Sequence, residues 1–148
     1  MTVEKVINFD MDGTIADFYG VENWLDDLYN GKTRPYEVAK PLVNMQVLAR
    51  LINRLQKNGY TINIISYVSR KADKDFSDRI KQAKLKWLHT HLKSVHFDNI
   101  FIVDHGVPKH SLASGILFDD EEGNRSAWNN GVAYDVNNII EILKGIAS

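Results

Sequence analysis

The chain has no cysteine among its 148 residues. That absence excludes disulfide bonds, thiolate zinc sites and a cysteine nucleophile, and it fits a reducing compartment without proving one. No apolar run approaches the roughly 20 residues that a membrane span requires. The net charge is only −1, which argues against a general electrostatic grip on nucleic acid, although a small basic patch stays compatible with it.

What the chain does contain is typical of one globular domain. Hydrophobic residues make up 44% and charged residues 25% of a length that suffices for one core. Repeats, low-complexity tracts and an evident linker are all missing, so we expect a single domain over residues 1–148. No charged-then-apolar leader precedes the first apolar run, and we therefore expect a cytoplasmic protein without a membrane partner.

Strand-like apolar runs alternate with stretches of helical periodicity along most of the chain. Strands are predicted at Val3–Phe9, Tyr60–Ile65, Ile100–Val103, Gly115–Phe118 and Val132–Val136. Helices are predicted from Pro41 to Asn58, from an Asp73 cap to about Lys93, and from Asn137 or Asn138 to Lys144. This alternation predicts an α/β fold with a parallel sheet and helices on both faces.

The most informative stretch is Val-Ile-Asn-Phe-Asp-Met-Asp-Gly-Thr at residues 6–14. Side chains repeat every two residues along a strand, so Asp10 and Asp12 point the same way. Two close carboxylates tolerate each other as anions only if a cation lies between them or one holds a proton. Mg²⁺ suits such hard oxygen ligands, and an aspartate can act as a nucleophile in phosphoryl transfer.

A calcium loop and a surface turn are the simpler alternatives for this acidic pair. An EF-hand calcium loop is excluded, because Thr14 and Val21 occupy positions where that loop needs acidic or amide ligands. An ordinary surface turn stays open as the alternative, since aspartate and glycine are common in turns. A buried strand that leads directly into the pair favours a phosphate site.

Three further polar features follow predicted strands or precede them closely. Ser66 follows the second strand, Asp119 and Asp120 follow the fourth, and Lys109 lies ten residues before Asp119. Ligands of parallel sheets gather at the carboxyl ends of the strands, so these side chains are expected to meet there. Taken singly, Ser66 is more often an ordinary strand end and Lys109 is more often a solvated loop lysine.

In combination these residues resemble the haloacid dehalogenase superfamily of phosphohydrolases. The resemblance rests on Asp10–Thr14, on the apolar strand that ends in Ser66, on Lys109, and on the Asp119-Asp120 pair, in the family's order. It implies a three-layer Rossmann-like fold with a small cap insertion after the first motif, at about residues 18–40.

The resemblance also implies a Mg²⁺-dependent phosphomonoesterase with a defined set of roles. Asp10 would attack phosphorus and form an aspartyl-phosphate, and Asp12 would act as the general acid and base. Asp10, the Asp12 backbone carbonyl and Asp119 would hold Mg²⁺, with Asp120 close behind. Ser66 and Lys109 would bind the phosphate through their side chains, and Gly13 and Thr14 would bind it through the loop that they form.

Within the superfamily the resemblance is greatest to the 5'(3')-deoxyribonucleotidase group. It rests on Asp10–Asp17, on Lys84–Leu88 ahead of the third strand, and on the later acidic pair. The cap is much shorter than in that group, and Tyr67 follows Ser66 where other residues are common. Tyr19, Trp24 and Tyr67 are candidates to stack on a base, although aromatic residues at such positions more often serve packing. Arg70 and Lys71 are candidates to meet further phosphates.

Other substrates and a different function stay open at this point. A sugar phosphate or a nucleic-acid phosphate end is an alternative substrate, although the near-neutral charge makes nucleic acid the less favoured partner. A non-catalytic domain that keeps the fold is the remaining alternative. The sequence leaves the oligomeric state open; a dimer would cover Trp24, Leu25 and Leu28 if the short cap exposes them.

Overall fold

A computed structural model describes residues 4–148. The strands of this part of the chain are, in order, β1 (Val6–Phe9), β2 (Ala16–Asp17), β3 (Lys40–Pro41), β4 (Thr61–Tyr67), β5 (Asn99–Val103), β6 (Ile116–Phe118) and β7 (Ala133–Tyr134). The helices are α1 (Trp24–Tyr29), α2 (Arg34–Val38), α3 (Met45–Lys57), α4 (Lys74–His91), α5 (Glu122–Ala127) and α6 (Ile139–Ala147). None of the helices within residues 4–148 combines the length and apolar character of a membrane span.

Five of the strands form one parallel sheet in the order β5-β4-β1-β6-β7. The α/β class predicted from the sequence is therefore confirmed. Because β1 lies at the centre, the residues after β1, β4 and β6 reach the same edge from three neighbouring strands. Val3, which we predicted as the start of the first strand, lies outside the described residues.

The long helices begin at side-chain caps. Asn44 accepts a hydrogen bond from the Val47 N–H at the start of α3, four residues later than the predicted start at Pro41. Asp73 caps α4 as predicted, accepting from the Phe76 N–H at 2.8 Å. The left-handed Gly59 ends the α3 segment, a conformation that glycine adopts without steric cost.

The two faces of the sheet bury different side chains. Residues of α3, α4 and α6 share one core cluster with Ile7, Phe9, Ile62 and Ile64. The alternate strand residues point to the opposite face, where Ile65 and Leu117 pack with Trp128 after α5.

A row of asparagines crosses that second face. Asn8, Asn63 and Asn99 occupy paired positions on β1, β4 and β5. Asn63 donates to Asn8 Oδ1 at 2.9 Å, and Asn99 donates to Asn63 Oδ1 at 3.0 Å. Asn8 also donates to the Ser114 and Ile116 carbonyls, so the row reaches as far as β6.

The segment expected as a small cap forms α1 and α2 between β2 and β3. These two short strands pair antiparallel, Ala16 with Pro41 and Asp17 with Lys40, and so close the insertion at its base. The indole N–H of Trp87 on α4 donates to the Ala39 carbonyl at 2.8 Å, and an Arg79 guanidinium N–H donates to the Gly31 carbonyl. The cap segment (residues 18–40) is thus fastened to α4.

Candidate active site

The loop after β1 folds back on itself directly beyond the sheet. The N–H of Asp10 donates to the Phe118 carbonyl of β6, which extends the sheet pairing to the first aspartate. The N–H groups of Gly13 and Thr14 donate to the Ala16 and Met11 carbonyls, at 2.8 and 3.0 Å. The two residues that we expected to bind phosphate therefore use their N–H groups to shape the loop.

Glycine is required at position 13 by geometry. Its φ of 82° is in the left-handed region, and a Cβ there would overlap the carboxylate of Asp120. The Thr14 hydroxyl lies 3.0 Å from an Asp10 oxygen and 3.3 Å from an Asp120 oxygen, and its single hydrogen can serve one of them at a time. The loop thereby brings the first acidic pair against the later one.

Lys109 joins the two acidic motifs. Its ammonium group donates to Asp10 Oδ1 at 2.9 Å and to Asp119 Oδ2 at 2.6 Å, and only 4% of the residue is exposed. The lysine is held in a short 3₁₀ turn at Lys109–Ser111, in the connection between β5 and β6. A lysine is rarely buried without a charge partner, and this one has two.

Three carboxylates form a group that could hold a cation. Oxygens of Asp10, Asp119 and Asp120 lie within 4.8 Å of one another. Burial, followed by the Asp10 charge, raises the pKa of Asp119 to about 6, although Lys109 acts in the opposite direction. Burial and the hydrogen bond with Asp10 raise the pKa of Asp120 to about 8. A bound cation lowers the pKa of neighbouring carboxyl groups, so it would offset this rise. Carboxylate oxygens are hard ligands that suit Mg²⁺.

Ser66 and Asp12 share a second lysine, Lys84. Ser66, the penultimate residue of β4, is buried and accepts from Lys84 Nζ at 2.6 Å. The same ammonium donates to Asp12 Oδ2 at 2.9 Å. Burial raises the pKa of the Asp12 carboxyl, and the Lys84 charge opposes that shift.

From the sequence, Lys84 contributes only to the Lys84–Leu88 resemblance and receives no role in the site, because it lies within a predicted helix. Its position carried a usable signal. Lys84 follows Ile80 by four residues and precedes Trp87 by three, so it lies on the same face of α4 as these two buried residues. A charged residue at a buried helical position needs a partner, and that requirement pointed toward the acidic residues.

A cavity of about 680 Å³ opens beside these groups. Asp10, Asp12 and Ser66 line it, and so do aromatic residues of the cap segment and the polar loop after β4. Phe18 contacts Tyr19, Trp24 and Tyr36 with ring centroids 4.6–5.3 Å apart, so the aromatic wall is one packed cluster. Tyr67, Arg70, Lys71 and His105 contribute to the lining from the other side.

The residues expected to form the site therefore come together at the carboxyl edge of the sheet. These residues are Asp10, Asp12, Gly13, Thr14, Ser66, Lys109, Asp119 and Asp120. Tyr19, Trp24 and Tyr67, the candidates for base stacking or packing, line the same cavity. Of the other residues predicted to be exposed on the cap, Leu25 is 48% exposed and Leu28 is only partly buried.

Comparison with known proteins adds a structural likeness. No protein-family model matches the chain, and no curated protein does so either. A crystal structure of D,D-heptose 1.7-bisphosphate phosphatase from B. bronchiseptica, complexed with magnesium and phosphate, superposes with a TM-score of 0.57 and 15% sequence identity. The match covers 96% of this chain and 99% of that one. At this identity the likeness shows a shared fold, which agrees with the haloacid dehalogenase-type fold expected from the motifs.

Proposed function

We propose that the protein is a Mg²⁺-dependent phosphomonoesterase that works through an aspartyl-phosphate. One observation carries the proposal: buried Lys109 joins the carboxylates of Asp10 and Asp119, and Asp10 together with Asp12 lines the adjoining cavity. A buried cation between two acids from distant parts of the chain is costly to assemble for stability alone. It is well suited to a reaction centre that receives a dianionic phosphate.

The two aspartates of the first motif would divide the reaction between them. An oxygen of Asp10 attacks phosphorus, the bond to the ester oxygen breaks, and that oxygen leaves with the proton of Asp12. Asp12, now an anion, takes a proton from water as the water attacks the aspartyl-phosphate, and the phosphorus–Asp10 bond breaks. Inorganic phosphate and the free alcohol are released, and Asp12 is protonated again.

Lys109 and Ser66 would bind the phosphoryl oxygens. Two of the three N–H donors of the Lys109 ammonium are used by Asp10 and Asp119 within residues 4–148, so one is left for a phosphate. The same ammonium lies 5.1 Å from the ring centroid of Tyr67, which lines the cavity. Its two carboxylate partners outweigh the effect of burial and raise the pKa of Lys109, which keeps the group charged at neutral pH. A fixed positive charge at this point stabilises negative charge that develops on the transferring group.

The three grouped carboxylates would hold Mg²⁺, which when bound polarises the phosphoryl group and screens its charge from Asp10. We expected Asp119 as the ligand and Asp120 behind it. The hydrogen bonds favour the reverse order. Both oxygens of Asp119 already accept bonds, Oδ1 from the Glu121 N–H and Oδ2 from Lys109. Asp120 has a long contact with Thr14 and a hydrogen bond with Asp10, and the proton that joins two carboxyl groups is one that Mg²⁺ would replace.

The lining of the cavity favours a nucleotide as the substrate. Tyr19 and Trp24 contribute aromatic rings to the lining, on which a base would stack, and Arg70 and Lys71 contribute charge for a further phosphate. A sugar phosphate is the second candidate, because the structurally similar bacterial enzyme acts on a heptose bisphosphate. Nucleic-acid phosphate ends and a non-catalytic binding role stay as further alternatives.

A panel of phosphate esters would test this function. The panel is p-nitrophenyl phosphate, nucleoside 5'- and 3'-monophosphates, sugar phosphates and a 5'-phosphorylated oligonucleotide, each with Mg²⁺ and with EDTA. We expect Mg²⁺-dependent release of phosphate, with the highest kcat/KM on a nucleoside monophosphate. A higher kcat/KM on sugar phosphates would replace the nucleotide assignment, and no turnover of any ester would overturn the catalytic proposal.

A further inference from the structure

Lys84 is an unusual residue for the middle of a helix. It lies on α4 with 1% of its surface exposed, and its ammonium group donates to Asp12 Oδ2, Ser66 Oγ and the Tyr67 carbonyl at 2.6–2.9 Å. An ammonium group has three donors, so all of them are in use. Burial of a lysine on this scale is found almost only where such partners exist.

This saturation separates Lys84 from Lys109. Lys109 donates twice within the described residues and keeps a donor for substrate, whereas Lys84 has each of its three donors on the protein. A phosphate could bind Lys84 only by displacing one of those partners. Lys84 therefore acts on the reaction through the groups that it holds.

Each of the two side chains that Lys84 holds keeps one group that does not bond to this lysine. Its bond to Asp12 engages Oδ2, which leaves Oδ1 as the oxygen that can exchange a proton with substrate. Ser66 accepts from Lys84, so its own hydroxyl hydrogen is free to be donated elsewhere. Both residues line the cavity, and the third bond, to the Tyr67 carbonyl, ties the ammonium to the end of β4.

The cap segment completes the surroundings of this lysine. The ring centroid of Tyr36 on α2 lies 5.0 Å from Lys84 Nζ, at cation–π distance, and Tyr36 is itself 5% exposed. The aromatic ring keeps water away from the ammonium group, which strengthens the bonds to Asp12 and Ser66. The orientation of the acid is thus set jointly by the core helix and the cap.

We infer that Lys84 is a positioning residue that orients Asp12 for proton transfer to the leaving oxygen and Ser66 for donation to the phosphoryl group. The inference rests on the proposed function, because both roles belong to the phosphatase reaction. A purely structural role, in which Lys84 only neutralises a buried acid, makes a different prediction. It lowers turnover equally for every substrate.

Leaving groups of different basicity distinguish these two roles. A p-nitrophenolate ion leaves readily without a proton, whereas the alkoxide of an alkyl phosphate such as glycerol phosphate requires one. In the Lys84→Met variant we expect kcat/KM on glycerol phosphate to fall by about 10²–10⁴-fold, the usual contribution of a general acid. On p-nitrophenyl phosphate the loss should be at least tenfold smaller. Lys86→Met, an exposed position on the same helix, should leave both substrates unchanged.

A second comparison locates the effect in Asp12. In an Asp12→Asn background, Lys84→Met should cost less activity on p-nitrophenyl phosphate than it does in the wild-type background, because only the positioning of Ser66 is then left to lose. Equal losses on the two substrates in the single variant would overturn the inference. An inactive wild-type protein would instead overturn the proposed function, so the two failures are distinguishable.

The absence of native cysteine provides a rescue if Lys84→Met folds poorly. In Lys84→Cys, bromoethylamine can alkylate the single thiol under denaturing conditions and restore a lysine-like amine before refolding. Recovery of glycerol phosphate hydrolysis relative to p-nitrophenyl phosphate would support the inference. A refolded, aminoethylated protein that regains only p-nitrophenyl phosphate activity would overturn it.

Discussion

At the scale of single residues, the proposed chemistry depends on the fixed orientation of the Asp10 carboxylate. One carboxylate oxygen faces Lys109 and the other faces Thr14, so the side chain is fixed in one orientation before substrate arrives. Holding a nucleophile at the geometry of attack removes a large part of the entropic barrier. The same contacts mean that an amide can replace the carboxylate without a change of shape.

The Asp10→Asn variant should therefore lose turnover and keep its fold. The amide has the volume of the carboxylate and can still accept from Lys109, but it is a poor nucleophile. We expect phosphate release to fall by more than about a thousandfold, measured on p-nitrophenyl phosphate. The far-UV circular dichroism should be unchanged and the Tm should lie within about 5 °C of wild type.

The matched control is Asp26→Asn, an exposed acid on α1, which should retain full activity. Unchanged turnover in Asp10→Asn would rule out the aspartyl-phosphate mechanism. A variant that lost its circular dichroism signal would show that Asp10 is needed for folding, and Asp10→Ser would then repeat the test with a smaller neutral side chain.

At the scale of secondary-structure elements, the central strands are aligned by polar side chains as well as by backbone bonds. The asparagines of β1, β4 and β5 lie opposite one another, and Asn8 and Asn63 are almost fully buried. A shift of one residue in the pairing would separate the amides and leave them unsatisfied in the core. The row therefore favours the register that brings Asp10 and Ser66 to the same edge.

Replacing the middle asparagine should destabilise the protein. Asn63→Leu removes the donor to Asn8 Oδ1, which is left buried without that partner. We expect the free energy of unfolding to fall by about 1–3 kcal/mol in urea titrations. The exposed Asn129→Leu should change it by less than about 0.5 kcal/mol. A free energy equal to that of wild type would show that the row contributes nothing to stability.

At the scale of the whole molecule, the carboxylate group couples stability to pH. Without a metal, the pKa of Asp119 is raised to about 6 and that of Asp120 to about 8, from an ordinary 3.8, with burial as the main cause. The folded chain therefore binds more protons than the unfolded chain between about pH 4 and 8. The free energy of unfolding then decreases as pH rises through that window.

A bound divalent ion should remove this cost, so its effect on stability should grow with pH. Protons and Mg²⁺ compete for the same oxygens, and fewer protons remain at higher pH. We expect the increase in Tm on adding Mg²⁺, relative to EDTA, to be larger at pH 9 than at pH 6. Asp120→Asn should flatten this dependence, and an increase in Tm that does not vary with pH would contradict the assigned carboxylates.

The sequence by itself determined the fold class and the candidates for the site. Hydrophobic residues recur with a period of two residues in strands and of about 3.6 residues in helices. This periodicity is a local property, so it can be recognised without any tertiary contact. It predicted the parallel sheet and the helix beginning at Asp73, and it put Asp10, Ser66 and Asp119 at strand ends. The start of α3 was predicted four residues early, because Asn44 caps the helix and Pro41 pairs in β3.

Only the tertiary structure decided which charges meet. Lys84 lies 72 residues from Asp12 in sequence and Lys109 lies 99 from Asp10, and no local pattern predicts which carboxylate each lysine reaches. Those pairings follow from the packing of α4 against the sheet and the cap, which excludes water and requires every buried charge to find a partner. Chain separation carries no information about such contacts, because the free energy that selects them arises only after the distant segments are packed together.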